Sequence, residues 1–319
     1  MTPHYPSAAP GAAVPIQAAP IHVRVGAATD AGRRRANNED AFLAQGSLYL
    51  VADGMGGHAA GEIASATVIE AFTALAAQPS VTLDELRAGV ARAIGRVLAL
   101  PEGAGAGAGT TLSGVALAAL DGNAYWLLLN LGDSRTYRMA GGVLEQISVD
   151  HSVVQEMVET GALTPAQAAL HRQRNVITRA IGAGSAGEPD YWFLPAAPGD
   201  RILICSDGLT GELGDEQIRQ ILATETEPQA AATRLVHEAL LHGGRDNVTT
   251  VIVDALSTID ATGDETTPSG AADAEGLVAD FDDTIPSGEL PAPAPAPLAP
   301  TPVAPVLFPR ALVPRAEAR

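Results

Sequence analysis

The chain has 319 residues, of which 46% are hydrophobic, so it can bury a core and is not a wholly disordered protein. All 19 basic residues are arginine and 37 residues are acidic, and the resulting net charge of -18 argues against nucleic-acid binding through a broad basic surface. No apolar run is long enough to span a membrane, and nothing at the N-terminus resembles a secretory signal. The lone Cys205 excludes an internal disulfide and suits a reducing compartment, so we expect a cytoplasmic protein.

In chain order, a leader rich in proline and alanine, residues 1–20, comes first and is expected to be flexible. Short apolar runs then predict strands, and apolar residues at helical spacing predict helices. The predicted strands are 22–29, 47–53, 110–118, 124–132, 201–207 and 248–254. The predicted helices are 59–77, 82–98 and 228–241. Turn residues at 121–123 and 140–142 predict two hairpins.

The arrangement of these elements predicts the fold class and the domain limits. The strands cluster in hairpins and do not alternate strictly with helices, which favours α+β layers over a doubly wound parallel sheet. We predict one folded domain over residues 21–257. From residue 258 to 319 the chain is first acidic and then a proline–alanine run, which favours an extended conformation and cannot bury a core. We therefore expect a disordered tail, with docking of its apolar and basic end as the alternative.

Acidic residues recur at the ends of predicted strands, and this is the most informative pattern in the chain. Some follow an apolar strand directly, and others immediately precede one. These positions are Glu39, Asp40, Asp53, Asp133, Asp207 and Asp246. A glycine follows both Asp53 and Asp207, and it lets a ligand or metal approach the backbone closely.

Several carboxylates in one place require cations, because like charges repel and raise one another's pKa values. Divalent ions that prefer oxygen ligands remove this repulsion, and Mg²⁺ or Mn²⁺ suits a site without cysteine and with few histidines. Taken singly, each acid also fits an ordinary turn after a strand. The number of acids, and the apolar strands that precede three of them, favour the metal site.

Eight segments, in this order along the chain, resemble the motif series of the protein phosphatase 2C family. This family comprises the metal-dependent (PPM) serine/threonine phosphatases, and the resemblance is to its bacterial form. It extends over about residues 22–256. The segments are TDAGRRRANNEDAF (29–42), LVADGMGGHAAGE (50–62), AGTTL (108–112), NLGDSRTYR (130–138), DHSVVQEMVETG (150–161), RNVITRAIG (174–182), ICSDGLT (204–210) and GRDNVTTVIV (244–253).

The resemblance implies a four-layer α/β/β/α sandwich, in which helices flank two antiparallel sheets. It also implies hydrolysis of phosphoserine and phosphothreonine on proteins by a hydroxide that bridges two divalent ions, Mn²⁺ or Mg²⁺, with a weaker third ion beside them. The expected partners are phosphorylated proteins and a bacterial Ser/Thr kinase that the enzyme opposes. Neither nucleic acid nor a membrane span is expected, and we expect a monomer.

The family's metal ligands can be matched to this chain position by position. Asp53 matches the aspartate that both ions share, and the carbonyl of Gly54 is expected to face the metal pair. Glu39 matches a ligand of one ion, and Asp207 and Asp246 match ligands of the other.

Other family positions match residues around these ligands. Asp133 matches an acid that helps to bind the third ion. Asp40 and Asn247 match residues that hold metal-bound waters, directly or at one remove. Arg35 matches the arginine that grips the substrate phosphate, with a two-pronged contact that lysine cannot imitate. Residues 153–180 correspond to a mobile flap beside the site.

The proton donor to the leaving group is less defined. Eukaryotic members use a histidine directly after the Asp–Gly pair, but here residues 55–57 intervene, as in other bacterial members, so His58 is displaced. His58 fits the role of the general acid, and it fits a polar residue at a helix N-terminus equally well. In a third alternative, a metal-bound water supplies the proton in place of His58. Arg33 and Arg34 are interpreted as solvated side chains or as contacts to the substrate surface.

Rival functions lack residues that they require. A cysteine-dependent phosphatase built on Cys205 needs an arginine six residues later, where Gly211 stands, so we interpret Cys205 as a buried strand residue. An esterase using residues 132–134 lacks the later Asp-x-x-His, and the glycine-rich run 103–109 lacks the lysine of a P-loop. The non-enzyme alternative is a pseudophosphatase that binds phosphoproteins without turnover, which predicts loss of metal ligands or of Arg35.

Overall fold

The structure is a computed structural model that describes residues 21–56, 60–100, 107–258 and 306–307. The predicted leader, His58 and most of the predicted tail lie outside these residues. None of the helices in the described part of the chain is long and apolar enough to cross a membrane.

The described chain contains fourteen strands and seven helices. The strands are β1 (Ile21–Asp30), β2 (Asp40–Gln45), β3 (Leu48–Met55), β4 (Gly109–Thr110), β5 (Leu112–Leu120), β6 (Asn123–Leu131), β7 (Arg135–Ala140), β8 (Val143–Gln146), β9 (Ile181–Gly182), β10 (Ser185–Ala186), β11 (Asp190–Pro195), β12 (Arg201–Cys205), β13 (Val248–Thr258) and β14 (Val306–Leu307). The helices are α1 (Ala60–Ala76), α2 (Leu83–Leu98), α3 (Val153–Glu159), α4 (Pro165–Ala168), α5 (Asp207–Thr210), α6 (Asp215–Thr224) and α7 (Pro228–His242).

These strands form two sheets, and every pairing among the described strands is antiparallel. The smaller sheet has the order β1-β13-β12-β7-β8. The larger has the order β10-β9-β4-β3-β5-β6-β11-β14, and β2 also pairs with β3. The edge strand β14 belongs to the part of the chain predicted as the tail. It pairs with Trp192 and Phe193 of β11.

Alternation along β3 shows how the layers form, because successive side chains of a strand face opposite sides of the sheet. Leu48, Leu50 and Ala52 belong to the core shared with α1 and α2, whereas Tyr49 and Val51 belong to the core between the two sheets. β3 is therefore covered on both faces, which explains its nearly continuous apolar sequence.

A third apolar cluster covers the outer face of the smaller sheet. Leu203 and Ile252 of that sheet pack with Ile218 of α6 and Leu235 of α7. Cys205 belongs to the same cluster and is fully buried. The layer order is thus helices, larger sheet, smaller sheet, helices, which confirms the predicted four-layer α+β sandwich.

The six predicted strands and three predicted helices are confirmed, with shifts at their ends, and the turns at 121–123 and 140–142 join β5 to β6 and β7 to β8. One boundary matters for the site. The strand predicted over 201–207 ends at Cys205, so Asp207 is the first residue of α5 and not the last residue of a strand. No range was predicted for the strands β2, β7 to β11 and β14 or for the helices α3 to α6, although the turn at 140–142 implied a strand on each side of it.

Candidate active site

The site begins where β2 and β3 pair, because this ladder places Asp40 directly opposite Asp53. Ser206 Oγ donates a hydrogen bond of 2.8 Å to Asp40 Oδ2. Asp40 Oδ1 is buried and has no hydrogen-bond partner among the described residues. Burial, with the charges of Asp207 and Asp246 as a smaller cause, raises the pKa of Asp40 to about 7.

Two threonines hold the backbone of Asp53 in place. Thr111 Oγ1 accepts a 3.0 Å hydrogen bond from Asp53 N, and Thr110 Oγ1 donates one of 2.9 Å to Asp53 O. Both threonines are fully buried. Sequence analysis gave them no role, although two adjacent polar residues inside an apolar run were a signal that could have been used.

Glycines allow the elements around Asp53 to come close together. A Cβ on Gly54 would lie 2.3 Å from Gly61 O and 2.5 Å from Glu39 O, both backbone atoms. Gly54 N donates to Glu39 O at 3.1 Å, and Ser65 Oγ of α1 donates to the same oxygen at 2.6 Å. These contacts fix Glu39 beside β3 and the start of α1.

Asp207 and Asp246 reach the same place from α5 and from the residues just before β13. A Cβ on Gly208 would lie only 1.9 Å from Asn247 O, so these two segments touch through backbone atoms. The charge of Asp207 is one cause of the raised pKa of Asp53, so the two carboxyl groups lie close to each other. The structure thus brings together carboxylates that are more than 150 residues apart in the chain.

Asn247 ties the loop before β2 to the start of β13. Its Oδ1 accepts from Glu39 N at 2.8 Å, and its Nδ2 donates to Ala31 O and to Asn37 O, each at 2.9 Å. This side chain therefore bonds to backbone groups, and Asn247 would act on metal-bound waters through the residues that it holds in place.

Arg35 is the cation beside this acidic cluster. Its Nη2 donates to Asp246 Oδ2 at 2.7 Å, and half of its side chain is exposed. The hydrogen bond to Asp246 is the main cause of its raised pKa. The neighbouring Arg33 and Arg34 are exposed, and Arg33 N donates to Gly244 O at 2.7 Å.

Burial and mutual repulsion make the acidic cluster costly in its ionised form. Burial is the largest cause of the raised pKa values of Asp53, Asp133 and Asp207, and the charges of neighbouring aspartates add to it. Burial is also the largest cause of the raised pKa of Glu39. The cluster therefore favours any ligand that brings positive charge.

The donors fit hard divalent cations, since all of them are carboxylate or backbone oxygens. Within the described ranges, no three His, Cys, Asp or Glu side chains converge on a single point as ready coordination for one ion. Mg²⁺ commonly binds through one or two carboxylates and keeps several waters, so a denser ligand set is not required. The unpartnered Asp40 Oδ1 is suited to accept a hydrogen bond from such a water.

Asp133 borders a cavity of about 700 Å³ that also reaches Asp207 and Asp246. The cavity extends between these acids and the predicted flap, which contributes Val154, Gln155 and Arg174 to its lining. Asp133 is 7% exposed. The predicted flap, residues 153–180, therefore lies next to the acidic cluster.

These features define a class of protein: an α/β/β/α sandwich with a cluster of buried carboxyl groups at one end, as expected for the metal-dependent phosphatases. The sequence profile of protein phosphatase 2C matches residues 29–252. The chain belongs to the protein phosphatase 2C family, which confirms the resemblance noted from its motifs.

Named relatives agree with this assignment. The serine/threonine protein phosphatase PstP of Mycobacterium tuberculosis is 41% identical over 240 residues, which cover 73% of this chain and 45% of PstP. The serine/threonine phosphatase stp of Listeria monocytogenes is 32% identical over 239 residues, covering 71% of this chain and 93% of that protein. The chain thus spans about half the length of the mycobacterial relative and nearly all of the listerial one.

A solved structure shows the same fold. The crystal structure of the catalytic domain of PstP in complex with two manganese ions superposes with a TM-score of 0.67 at 39% identity, and the match covers 74% of this chain and 99% of that domain.

Proposed function

We propose that the protein hydrolyses phosphoserine and phosphothreonine monoesters on proteins and requires Mn²⁺ or Mg²⁺ to do so. The observation that carries this proposal is the gathering of Asp40, Asp53, Asp207 and Asp246 at one end of the sandwich beside Arg35. Two relatives named as serine/threonine phosphatases, and the two manganese ions in the PstP catalytic domain, support it.

The residues that would hold two ions follow from the site. Asp53 would serve both ions and the carbonyl of Gly54 would face the pair. Glu39 would bind one ion, and Asp207 and Asp246 would bind the other. When bound, such a pair of ions activates water for in-line attack and neutralises charge on the phosphoryl group. A third, weaker ion would lie at Asp133.

Other side chains orient the reactants. Ser206 occupies Asp40 Oδ2 with a hydrogen bond, which leaves Oδ1 free to accept one from a water molecule. The half-exposed guanidinium of Arg35, held by Asp246, would donate to two oxygens of the substrate phosphate. Phosphate binding thus would place the reacting phosphorus beside the acidic cluster.

The wider role that we propose is that of a cytoplasmic monomer that removes phosphate from proteins modified by a Ser/Thr kinase. The catalytic domain would be residues 21–257, with the leader 1–20 and the tail 258–319 dispensable for turnover.

The test is hydrolysis of p-nitrophenyl phosphate and of a phosphothreonine peptide by the full chain, with Mn²⁺ and with excess chelator. Asp207→Asn, which keeps the size of the side chain and removes its charge, should reduce turnover to the level of the chelated wild type. Asp121→Asn is the matched control, because Asp121 lies in an exposed turn at φ 51°, a conformation that asparagine accepts. Phosphopeptide binding without turnover in the wild type would contradict the proposal and indicate a binding module.

A further inference from the structure

His151 is a buried histidine, 3% exposed, that the proposed mechanism does not use. It lies between the loop that carries Asp133 and the start of the flap. Gly132 N donates to His151 Nδ1 at 3.2 Å, and His151 N donates to Gly132 O at 2.9 Å. The ring and the backbone of one residue therefore hold both polar groups of the glycine that precedes Asp133.

The first of these bonds determines which ring nitrogen carries the proton. Because Nδ1 accepts from Gly132, the proton of the neutral ring is on Nε2, which lies 3.1 Å from Asp190 Oδ2 and donates to it. Arg179 Nη1 is 3.1 Å from the same Nε2 and 3.4 Å from Asp190 Oδ1. Since a guanidinium has only donors, Arg179 balances the charge of Asp190 and does not bond to the protonated nitrogen.

Gly132 needs this support because its backbone is unusual. Its φ is +113°, and a Cβ there would lie 2.5 Å from the side chain of Thr111, so only glycine fits. Asn130 Nδ2 donates to Gly132 O as well, at 3.1 Å. This conformation sets the direction in which the chain leaves β6 and hence the position of Asp133.

The other side of His151 meets the flap. Its carbonyl accepts from Thr178 N at 2.8 Å, Ser152 bridges to Ile177, and Val153 N donates to Val176 O at 2.9 Å. The two ends of the flap thus pair with each other at its base, and the pairing starts at His151.

We propose that His151 is a positioning residue that fixes Gly132, and through it the carboxylate of Asp133, to the paired base of the flap. The proposal rests on the proposed function, because it gives Asp133 a metal to bind. Residues that orient a metal ligand commonly change metal affinity by about 10–100-fold when they are lost. His151→Ala should therefore weaken Mn²⁺ binding at Asp133 by about tenfold.

The experiment compares four full-length proteins: wild type, His151→Ala, His151→Asn and His171→Ala. Asparagine places an acceptor near the position of Nδ1, so His151→Asn should recover most of the Mn²⁺ affinity that alanine loses. His171 is the control, because it lies on the flap and, in the part of the chain that the structure describes, its ring accepts only the local bond from Gln173 N, at 3.2 Å. Asp133→Ala identifies which Mn²⁺ site in the titration belongs to Asp133.

Three readouts are needed. Hydrogen exchange of the Gly132 amide in metal-free protein, followed by NMR, should be faster in His151→Ala and near the wild-type rate in His151→Asn. Mn²⁺ titration monitored by electron paramagnetic resonance should show weaker binding of the ion that Asp133→Ala removes. In turnover, the Mn²⁺ concentration for half-maximal kcat should rise about tenfold, with KM for p-nitrophenyl phosphate unchanged at saturating Mn²⁺.

The outcomes separate this proposal from the proposed function. A His151→Ala protein that melts earlier but keeps wild-type Gly132 exchange and Mn²⁺ affinity would show a packing role alone and overturn the positioning role. Absence of metal-dependent turnover in the wild type would overturn the proposed function, while exchange and Mn²⁺ titration would still decide the role of His151. If His151→Ala does not fold, His151→Gln replaces it in the comparison. The terminal amide of glutamine lies near the position of Nε2 and not of Nδ1, so His151→Gln should lose the Mn²⁺ affinity that His151→Asn retains. Equal Mn²⁺ affinities of these two variants would refute the proposal.

Discussion

At the scale of single residues, backbone atoms approach two glycines so closely that no side chain fits between them. Gly54 contacts the backbone of Glu39 and Gly61, and Gly208 contacts the carbonyl of Asn247. Each of these glycines follows a candidate metal ligand. The small residue after the acid thus sets the distance between two elements as well as giving access to a ligand.

Gly208→Ala tests this role. The added Cβ would lie 1.9 Å from Asn247 O, a backbone atom in a buried region, so the start of β13 must move away from α5. Because Asp207 and Asp246 lie on the two sides of this contact, we expect weaker Mn²⁺ binding in calorimetric titration and a lower melting temperature.

Gly214→Ala is the matched control, since a Cβ at Gly214 meets no atom within 4 Å and its φ of -79° suits alanine. It should keep the Mn²⁺ affinity of the wild type, and it should lose no more than about 1 kcal/mol of stability, because alanine is a poorer N-cap than glycine. Wild-type Mn²⁺ affinity in Gly208→Ala would show that the contact does not set the site.

The acids of the site could be selected from the sequence, whereas the particular hydrogen bonds that orient them could not. Asp53, Asp133 and Asp246 were found because each adjoins an apolar strand. The hydroxyls of Thr111 and Ser206 were missed because their partners depend on contacts 58 and 166 residues away along the chain. No local pattern encodes such a pairing, and the same holds for His151.

At the scale of elements, α2 was predicted with nearly correct ends, and its sequence shows why. Thr82 and Glu85 form a reciprocal capping box at its start, and apolar residues recur at helical spacing along one face. The short β2 and α5 were not predicted or were misplaced, because four to six residues are too few to show a period. Those are the elements in which Asp40 and Asp207 lie.

Helix α2 contains two glycines that should respond in opposite ways to alanine. Gly95 is exposed and a Cβ there meets nothing within 4 Å, so Gly95→Ala should stabilise the protein by about 0.5–1 kcal/mol through helix propensity. Gly89 is buried, and its Cβ would lie 2.5 Å from Cε1 of the fully buried Phe72 on α1. Gly89→Ala should therefore destabilise it by about 1–3 kcal/mol through overpacking.

Thermal unfolding of the two variants measures the difference, at about 2–4 °C for each kcal/mol in a domain of this size. Each variant is the control for the other, because the substitution and the helix are the same. A stabilised Gly89→Ala protein would mean that α1 and α2 can separate without loss of packing.

At the scale of the whole molecule, the class of fold was predictable but the order of strands was not. Hairpin turns and the lack of strict alternation indicated α+β layers. The edge pairing of the smaller sheet, however, joins β1 to β13, which are more than 200 residues apart. Only the fold as a whole brings these strands together, and with them the loop of Arg35 and the segment of Asp246.

The concentration of raised pKa values at one end of the sandwich predicts how stability depends on pH in the absence of metal. An aspartate in the unfolded chain titrates near about 4, whereas Asp40 in the folded protein has a pKa of about 7. Between these values the folded state binds the proton more tightly than the unfolded state, so stability falls as pH rises through this window. Burial shifts the pKa values of Asp53, Asp133 and Asp207 in the same direction.

The chelated protein should therefore melt at a higher temperature at pH 5.5 than at pH 7.5. Glu212, whose pKa is lowered by Arg245, does not oppose this trend, because its contribution is complete above the pKa of an unfolded glutamate and is therefore constant between pH 5.5 and 7.5. Mn²⁺ should raise the melting temperature more at pH 7.5 than at pH 5.5, since protons compete with the ion for the same carboxylates. Asp40→Asn, which cannot ionise, should show a smaller difference between the two pH values in chelator. If the chelated wild type instead became more stable from pH 5.5 to 7.5, repulsion within the acidic cluster would not be the force that Mn²⁺ relieves.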